Sequence, residues 1–202
     1  MRAKFSVAVA ALFVAVSMAA CGETTGGGDE HTSSDVPASA DFNQADVDVA
    51  TNMIQHHAQA LTMVDLVDKR EVSPQLRTLA EQIRMAQGPE IETMVDWLRE
   101  WAQPVPETVR DHASAHGDGM EMDSDLPGIV THDELQNLEK ANAAEFEPMW
   151  LELMIRHHQG AVEMAKAQKS DGEYAEAIKM AETIIAAQED EIATMKNMLG
   201  GS

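Results

Sequence analysis

Apolar side chains recur every three or four residues along most of the chain beyond residue 42, which is the spacing of an α-helix. One segment shows the stripe clearly, at Ile83, Ile91, Met94 and Leu98, with the polar Gln87 on the same face. No stretch sustains the alternation of apolar and polar residues that marks a β-strand. The pattern therefore predicts an all-α fold.

Capping residues and helix breakers divide this pattern into four long helices and one short helix. Helix starts are marked by an N-cap residue, by a proline at the first helical position or by a capping box. These signals stand at Asn43, Ser73-Pro74, Thr131–Glu134 and Glu147-Pro148, and Gly200-Gly201 ends the last helix. The predicted helices span about 43–69, 74–102, 131–143, 147–170 and 173–199.

The second half of this helical region repeats the first. His157-His158 follow His56-His57 by 101 residues, and the same offset gives 16 identities over the 46 positions from 53 to 98 without a gap. Unrelated sequences would give about three at average residue usage. Each copy reads as a helical hairpin, at 43–102 and 146–199, with a loop and the short helix at 103–143 between them.

Neither hairpin can bury its apolar face alone, so the two copies are expected to pack together. The prediction for residues 42–202 is a four-helix bundle with a pseudo-two-fold axis between the hairpins. Ligand and metal sites in such bundles are built from side chains on facing helices.

The first twenty residues have the features of an export signal. Arg2 and Lys4 precede an uncharged run that ends at residue 20 and is short for a membrane span. Small residues then lead to Cys21, which resembles a bacterial lipobox and implies cleavage before this cysteine and lipidation of its sulfur. Residues 1–20 are therefore expected to be a lipoprotein signal peptide, and the polar residues 21–41 a flexible linker. The alternative is an ordinary secretory signal with an incidental cysteine.

Composition narrows the chemistry that such a bundle can perform. Asp and Glu number 35 against 14 Lys and Arg, a formal net charge of −21, and binding to nucleic acid is excluded because phosphates need a basic face. The single cysteine excludes a disulfide framework and a zinc site built from several thiolates. Met, at 14, and His, at 8, are abundant although aromatic residues make up only 4%, so Met and His carry the remaining candidate chemistry.

Each copy places a pair of adjacent histidines after a methionine on its first helix. On a helical wheel Met53 and His57 share the apolar face, while His56 lies at the edge of that face. Imidazole and thioether are ligands that suit Cu(I), and imidazole also suits Cu(II) or Zn²⁺. The candidate metal ligands are Met53, His56, His57, Met154, His157 and His158.

The motif Met-Ile-x-His-His-x-x-Ala-x-x-Met stands at 53–63 and again at 154–164, and it resembles the bacterial family catalogued as domain of unknown function 305. The resemblance covers about residues 41–200. It implies a ferritin-like fold and, because some members are associated with copper in the cell envelope, a role in copper binding. The family's central loop often carries a Pro-Gly-Met-Met run, whereas this chain has Pro127-Gly128-Ile129-Val130 there.

Further residues extend the candidate site. The second helix of each hairpin offers extra ligands, or hydrogen-bond partners for the imidazoles, at Gln87, Glu90, Met94, Gln188, Glu191 and Met195. The central loop offers a second, looser metal site at His112, His116, Met120 and Met122, with a solvated acidic loop as the alternative. Asp46 and Glu147 stand near helix starts, where favourable interaction with the helix dipole accounts for them.

Enzyme chemistry finds no support in the sequence. The Glu-x-x-His pattern of ferritin-like di-iron oxidases is absent, because Met53 and Met154 occupy the position three residues before the first histidine. No Ser-His-Asp set and no phosphate-binding loop is discernible.

The favoured function is a lipid-anchored protein of the cell envelope that binds copper for sequestration or handover. Its expected partners are the membrane, through Cys21, and the metal ion. Two alternatives stay open. One is a structural or protein-interaction bundle whose histidines form a polar network without metal. The other is a sensor that binds a small molecule in the bundle core.

Overall fold

The computed structural model describes residues 36–37, 40–110 and 126–201. Within these ranges the chain forms five α-helices and no β-strand, which confirms the all-α class. The helices are α1 (Gln44–Asp68), α2 (Pro74–Glu100), α3 (His132–Lys140), α4 (Ala143–Asp171) and α5 (Ala175–Gly200). α1 packs against α2 and α4 packs against α5, α1 also packs against α4, and the short α3 lies against α4.

Capping boxes account for the starts of three helices. Asn43, Thr131 and Asn142 each accept a hydrogen bond from the backbone N–H three residues on, and the acidic side chain there bonds back to the cap. Because Asn142 caps α4, this helix begins earlier than the Glu147-Pro148 start that the sequence predicts. Pro148 falls inside α4, where it removes one backbone hydrogen bond without ending the helix.

The interior divides into two apolar clusters, one towards each end of the long helices. The cluster around Phe42 takes residues from the first halves of α1 and α5 and the second halves of α2 and α4. The cluster around Phe146 takes the opposite halves of the same four helices. α1 therefore runs from the Phe42 cluster to the Phe146 cluster, while α2 and α4 run the other way, so α1 is antiparallel to both of its neighbours.

Two carboxylates near helix starts connect one hairpin to the other. Asp46 on α1 is 1% exposed, and it accepts hydrogen bonds of 3.1 Å from the backbone N–H groups of Glu173 and Tyr174, just before α5. Glu147 on α4 accepts 3.0 and 2.6 Å hydrogen bonds from the N–H and hydroxyl of Ser73, the N-cap of α2. Each carboxylate thus binds the start of a helix in the opposite hairpin, a role beyond the dipole interaction that the sequence predicts.

The segments that would attach the chain to a membrane are the N-terminal ones. The predicted signal peptide (1–20), Cys21 and most of the predicted linker (21–41) lie outside the described residues. In the part of the chain that the structure describes, no helix is both long and apolar enough to span a bilayer.

The cross-hairpin role of Asp46 is testable by truncation. Asp46→Ala leaves the N–H groups of Asn43, Glu173 and Tyr174 without this acceptor, and we expect the free energy of unfolding to fall by about 2–4 kcal/mol. Urea denaturation of the full chain measures the change. Asp48→Ala is the control, because Asp48 is exposed on the same helix, and its effect should stay within about 0.5 kcal/mol. Equal effects of the two substitutions would contradict the role.

Candidate metal centre

Four imidazoles form a buried layer between the Phe42 cluster and the Phe146 cluster. His56 and His57 on α1, and His157 and His158 on α4, have no exposed surface. Adjacent residues on a helix point about 100° apart, so one ring of each pair faces its own hairpin and the other faces the opposite hairpin. The sequence predicts His56 only at the edge of the apolar face, and in the structure that edge is where α1 meets α4.

One ring of each pair contacts a carboxylate on the second helix of its own hairpin. Nε2 of His57 lies 2.8 Å from Oε2 of Glu90, and Nε2 of His158 lies 2.7 Å from Oε2 of Glu191. The two glutamate side chains are 16% and 15% exposed, so each reaches from the protein surface to a buried ring. A carboxylate in this position fixes the orientation of an imidazole, as it does for many metal-bound histidines.

The other ring of each pair meets its counterpart across the two hairpins. The centroids of the His56 and His157 rings are 3.7 Å apart, with 37° between the ring planes. Nε2 of His56 lies 3.0 Å from the carbonyl oxygen of Pro127, to which it donates. The contact brings imidazoles of both hairpins together at one point of the interior.

The segment 126–130, which contains Pro127, is held against the same layer. The side chain of Gln59 donates to the carbonyl of Val130 at 2.7 Å and accepts from its N–H at 2.8 Å. Gly160 leaves no room for a Cβ next to Pro127, and Gly128 adopts a left-handed φ of 73°. Sequence reasoning missed this contact, although the duplication breaks there, with Gln59 in one copy and Gly160 in the other.

Many buried polar atoms of the layer have no protein partner within the described ranges. These atoms are Nδ1 of all four histidines, Nε2 of His157, and the amide nitrogen and oxygen of both Gln87 and Gln188. Buried polar groups in native proteins are nearly always paired, so a set of this size at one level of the fold requires an explanation.

The observed contacts also show which nitrogen of each imidazole is protonated and which carries a lone pair. A carbonyl or carboxylate oxygen accepts hydrogen bonds, so Nε2 of His56, His57 and His158 is the protonated nitrogen in the neutral form of each ring. Nδ1 of the same three rings then carries a lone pair, inside the protein, and no group of the described residues donates to it. This is the state in which an imidazole can bind a metal ion.

Burial keeps the rings that face each other in the neutral form. Desolvation lowers the pKa of His56 from 6.5 to about 3, the charge of His57 lowers it further, and the hydrogen bond to Pro127 partly opposes both. The pKa of His157 lies well below 6.5, first through burial and then through the charge of His56. Neutral imidazole is the form that coordinates metals.

Methionine sulfurs lie on both sides of the imidazole layer. Met53, Met94 and Met164 belong to the Phe42 cluster, and Met63, Met154 and Met195 belong to the Phe146 cluster. Each cluster therefore combines methionines of both copies. Across residues 40–110 and 126–201 no three or more His, Cys, Asp or Glu side chains are arranged to hold a metal ion. A copper ion would therefore need a methionine sulfur, or a shift of the rings, to complete its ligands.

The remaining predicted site residues fall in different places. Gln87 and Gln188 are buried, each 2% exposed, and each precedes by three residues the glutamate that contacts a ring of the layer. The predicted loop site at His112, His116, Met120 and Met122 lies outside the described residues, as does the lipidation site Cys21.

Comparison with known proteins identifies similar chains. Residues 46–199 match the model of the family described as domain of unknown function (DUF305). A DUF305 fragment from Deinococcus radiodurans is 30% identical, with a TM-score of 0.66 over 79% of this chain and 98% of that one. A DUF305 protein from Streptomyces coelicolor, described as secreted, is 29% identical, with a TM-score of 0.67 over 78% and 93%.

A third similar structure is that of CopM, solved in a Cu(II)-bound form. It is 30% identical to this chain, with a TM-score of 0.64 over 77% of this chain and 96% of CopM. CopM has also been solved in Cu(I)-bound and Ag-bound forms, at 29% identity to this chain. None of the curated proteins matches the sequence.

The low pKa of the buried rings predicts a pH dependence. The unfolded chain takes up protons on these histidines below about pH 6.5, whereas folded His56 does so only near pH 3. The unfolded state therefore binds more protons in this window, and the free energy of unfolding should fall as the pH falls. The expected slope is up to about 1.4 kcal/mol per pH unit for each ring.

Urea denaturation of the metal-free full chain between about pH 7 and about pH 5.5 measures this slope. His56→Gln should give a shallower slope, because one of the two rings that resist protonation is gone. A free energy of unfolding that stays constant across this window would contradict a neutral, buried layer.

Proposed function

Because this chain belongs to the DUF305 family, we propose that it binds copper outside the cytoplasm, with the buried imidazole layer as the metal centre. Membership alone gives no activity, since the family is named for its unknown function. Support for copper comes from CopM, which is similar over nearly its whole length and has been solved with Cu(II), Cu(I) and Ag. The comparisons lend no such support to zinc.

The main support for this proposal is the set of buried ring nitrogens that have no hydrogen-bond partner within the described residues. Each unpaired buried polar group costs about 1–3 kcal/mol, and within the described residues Nδ1 of all four rings has no hydrogen-bond partner. A metal ion bound through Nδ1 would satisfy these atoms, while the protein holds Nε2 of His56, His57 and His158. The donor set therefore fits a soft-to-borderline metal such as copper.

In this proposal the ligands come from both hairpins. His56, His57, His157 and His158 supply nitrogen, and Met53 and Met154, one helical turn before His57 and His158, supply sulfur. Glu90 and Glu191 orient two of the rings, and the amides of Gln87 and Gln188 lie in the same layer. Copper is the cargo of this site, and the proposed role is sequestration or handover rather than catalysis.

We further infer that the four long helices form a bundle with approximate two-fold symmetry. Supporting this inference, the contact of His57 with Glu90 recurs as that of His158 with Glu191, 101 residues later. α1 also runs from the Phe42 cluster to the Phe146 cluster and α4 runs in the opposite direction, as a two-fold rotation requires. The symmetry axis would then pass close to the contact between His56 and His157.

The proposed location is the cell envelope, with a lipid anchor at Cys21. The lipobox-like sequence before Cys21 supports export and anchoring, and the similarity to a secreted DUF305 protein agrees with a place outside the cytoplasm. In an oxidising compartment thioether and imidazole are durable copper ligands, whereas thiols are prone to oxidation.

A purely structural role is the second candidate function. Three of the four rings already have a protein partner at Nε2, as expected for a polar network that fixes how the hairpins dock. Such a network leaves the Nδ1 atoms unexplained, so copper binding is the better account of the site.

Removing one ring from each hairpin tests the proposed ligands. We expect His57→Ala combined with His158→Ala to weaken Cu(I) binding to the full chain at least about 100-fold, because two of four nitrogen ligands are lost. Competition with a Cu(I) chelator measures the affinity, and His132→Ala on α3, outside the layer, is the control. An unchanged affinity would exclude these ligands. Absence of tight binding to the wild-type chain would favour the structural role.

The two glutamates that contact the imidazoles give a second test of the copper site. Glu90→Ala combined with Glu191→Ala should weaken Cu(I) binding about 10–100-fold, the usual cost of losing a group that orients a metal-bound histidine. The matched control is Glu92→Ala, because Glu92 is exposed on α2 two residues from Glu90. If the double variant binds Cu(I) as tightly as the control does, the carboxylates play no part in the site.

A further inference from the structure

A small cavity of about 20 Å³ lies in the Phe42 cluster, on the N-terminal side of the imidazole layer along α1. A void of this size has room for one water-sized particle. The residues that matter for its chemistry are Asp46, Met53, Met94, Trp97, Gln168 and Met180.

The sequence explains why this cavity exists. Small residues line it at Ala50, Ala165 and Ala177. At the equivalent positions of the other copy stand the larger Leu151, Val64 and Leu76, which are buried in the Phe146 cluster. The two ends of the helices therefore differ, and the Phe42 cluster holds space that larger side chains take up at the other end.

Most of the candidate metal donors around this space are thioethers. Met53, Met94 and Met180 bring three thioethers to the cavity, and thioethers are ligands for soft metal ions. Gln168 adds a carbonyl oxygen, Oε1, that is buried and has no hydrogen-bond partner within the described residues. The amide nitrogen of Gln168 donates to Asp46, so the free oxygen is the atom left to interact with an occupant.

The charge around the cavity favours a cation. Asp46 is buried, receives its hydrogen bonds from backbone N–H groups and from Gln168, and has no ion pair within the described ranges. Asp41, Glu100 and Glu176 lie close enough to Tyr174 to raise the pKa of its hydroxyl, second to the effect of burial. Tyr174 does not line the cavity, but its ring lies 5.6 Å from that of Trp97, so these carboxylates place negative charge nearby, and negative charge attracts cations. The ring of Trp97 adds an aromatic surface, which also attracts cations.

We propose that this cavity is a binding site for one soft monovalent cation, Cu(I) or Ag(I), held by the sulfurs of Met53, Met94 and Met180 and by Oε1 of Gln168. The site shares Met53 with the proposed imidazole site, and in that respect it rests on the proposed function, but it requires no histidine. Met53 precedes His57 by one helical turn, so the cavity lies next to the imidazole layer. The proposed cation is the same metal, in its monovalent form. A buried water molecule is the alternative occupant.

The test uses Ag(I), which stays monovalent in air, and the full chain with ¹³C-labelled methionine methyl groups. On addition of Ag(I), the methyl resonances of Met53, Met94 and Met180 should shift together. The resonance of Met85, which is 70% exposed on α2, should stay in place and serves as the internal control. A Met180 resonance that does not move would overturn the proposal, and a water molecule would then be the occupant.

Two substitutions make the test specific, and each introduces the residue that stands at the equivalent position of the first hairpin. Met180→Leu introduces the residue found at the equivalent position 79, and Ala177→Leu introduces that of position 76. The first removes a thioether at nearly constant volume, and the second fills the cavity without touching a sulfur. Each should weaken Ag(I) binding to this site at least about tenfold. Met149→Leu, outside the cavity, should leave it unchanged. Wild-type Ag(I) affinity in both variants would refute the site.

The same spectra separate this proposal from the proposed function. Imidazole resonances of His57 and His158 report on the histidine layer, and the methyl group of Met180 reports on the cavity. If Ag(I) moves Met180 and leaves the imidazoles unchanged, the cavity site stands and the histidine site fails. If the imidazoles move and Met180 does not, the cavity site fails and the proposed function stands.

Discussion

The burial of four imidazoles at the middle of the helices is the constraint on which the rest of the structure depends. Polar rings in an apolar interior need partners. The fold supplies Glu90, Glu191 and the carbonyl of Pro127, yet it leaves Nδ1 of every ring unpaired within the described residues. An all-apolar layer would avoid this cost, so the rings are better explained by a ligand than by stability. A bound copper ion would satisfy Nδ1 of the rings and would suit the methionines on either side of the layer.

Contacts at the ends of the helices help to fix the arrangement of the imidazole layer. Asp46 and Glu147 each bind the start of a helix in the opposite hairpin, so they help to fix the relation of α1 to α4 on which the His56–His157 contact depends. Burial keeps His56 and His157 neutral, hence ready to bind a metal without first losing a proton. The net charge of −21 attracts cations to the protein as a whole.

Helical periodicity and capping signals predicted the helices, because these are local properties of the chain. The apolar face predicted the inward direction of His57 and His158 for the same reason. Contacts between distant segments were harder to predict. The burial of His56 depends on where α1 meets α4, and its bond to Pro127 depends on a segment 71 residues away. The sequence predicts for Asp46 only an interaction with the dipole of its own helix, because its hydrogen bonds to Glu173 and Tyr174 form only once the hairpins have docked. The predicted start of α4 is too late because Pro148 is a strong local signal, which the capping box of Asn142 outweighs.

In the proposed copper centre, imidazoles of the buried layer bind the metal with help from methionine. X-ray absorption at the copper edge of the Cu(I)-loaded full chain tests this claim directly, because multiple scattering identifies imidazole and the first coordination shell separates sulfur from nitrogen or oxygen. The proposed centre predicts a spectrum that shows imidazole scattering and at least one sulfur in the first shell, averaged over all bound copper. A spectrum with oxygen ligands only, or with sulfur and no imidazole, would contradict it.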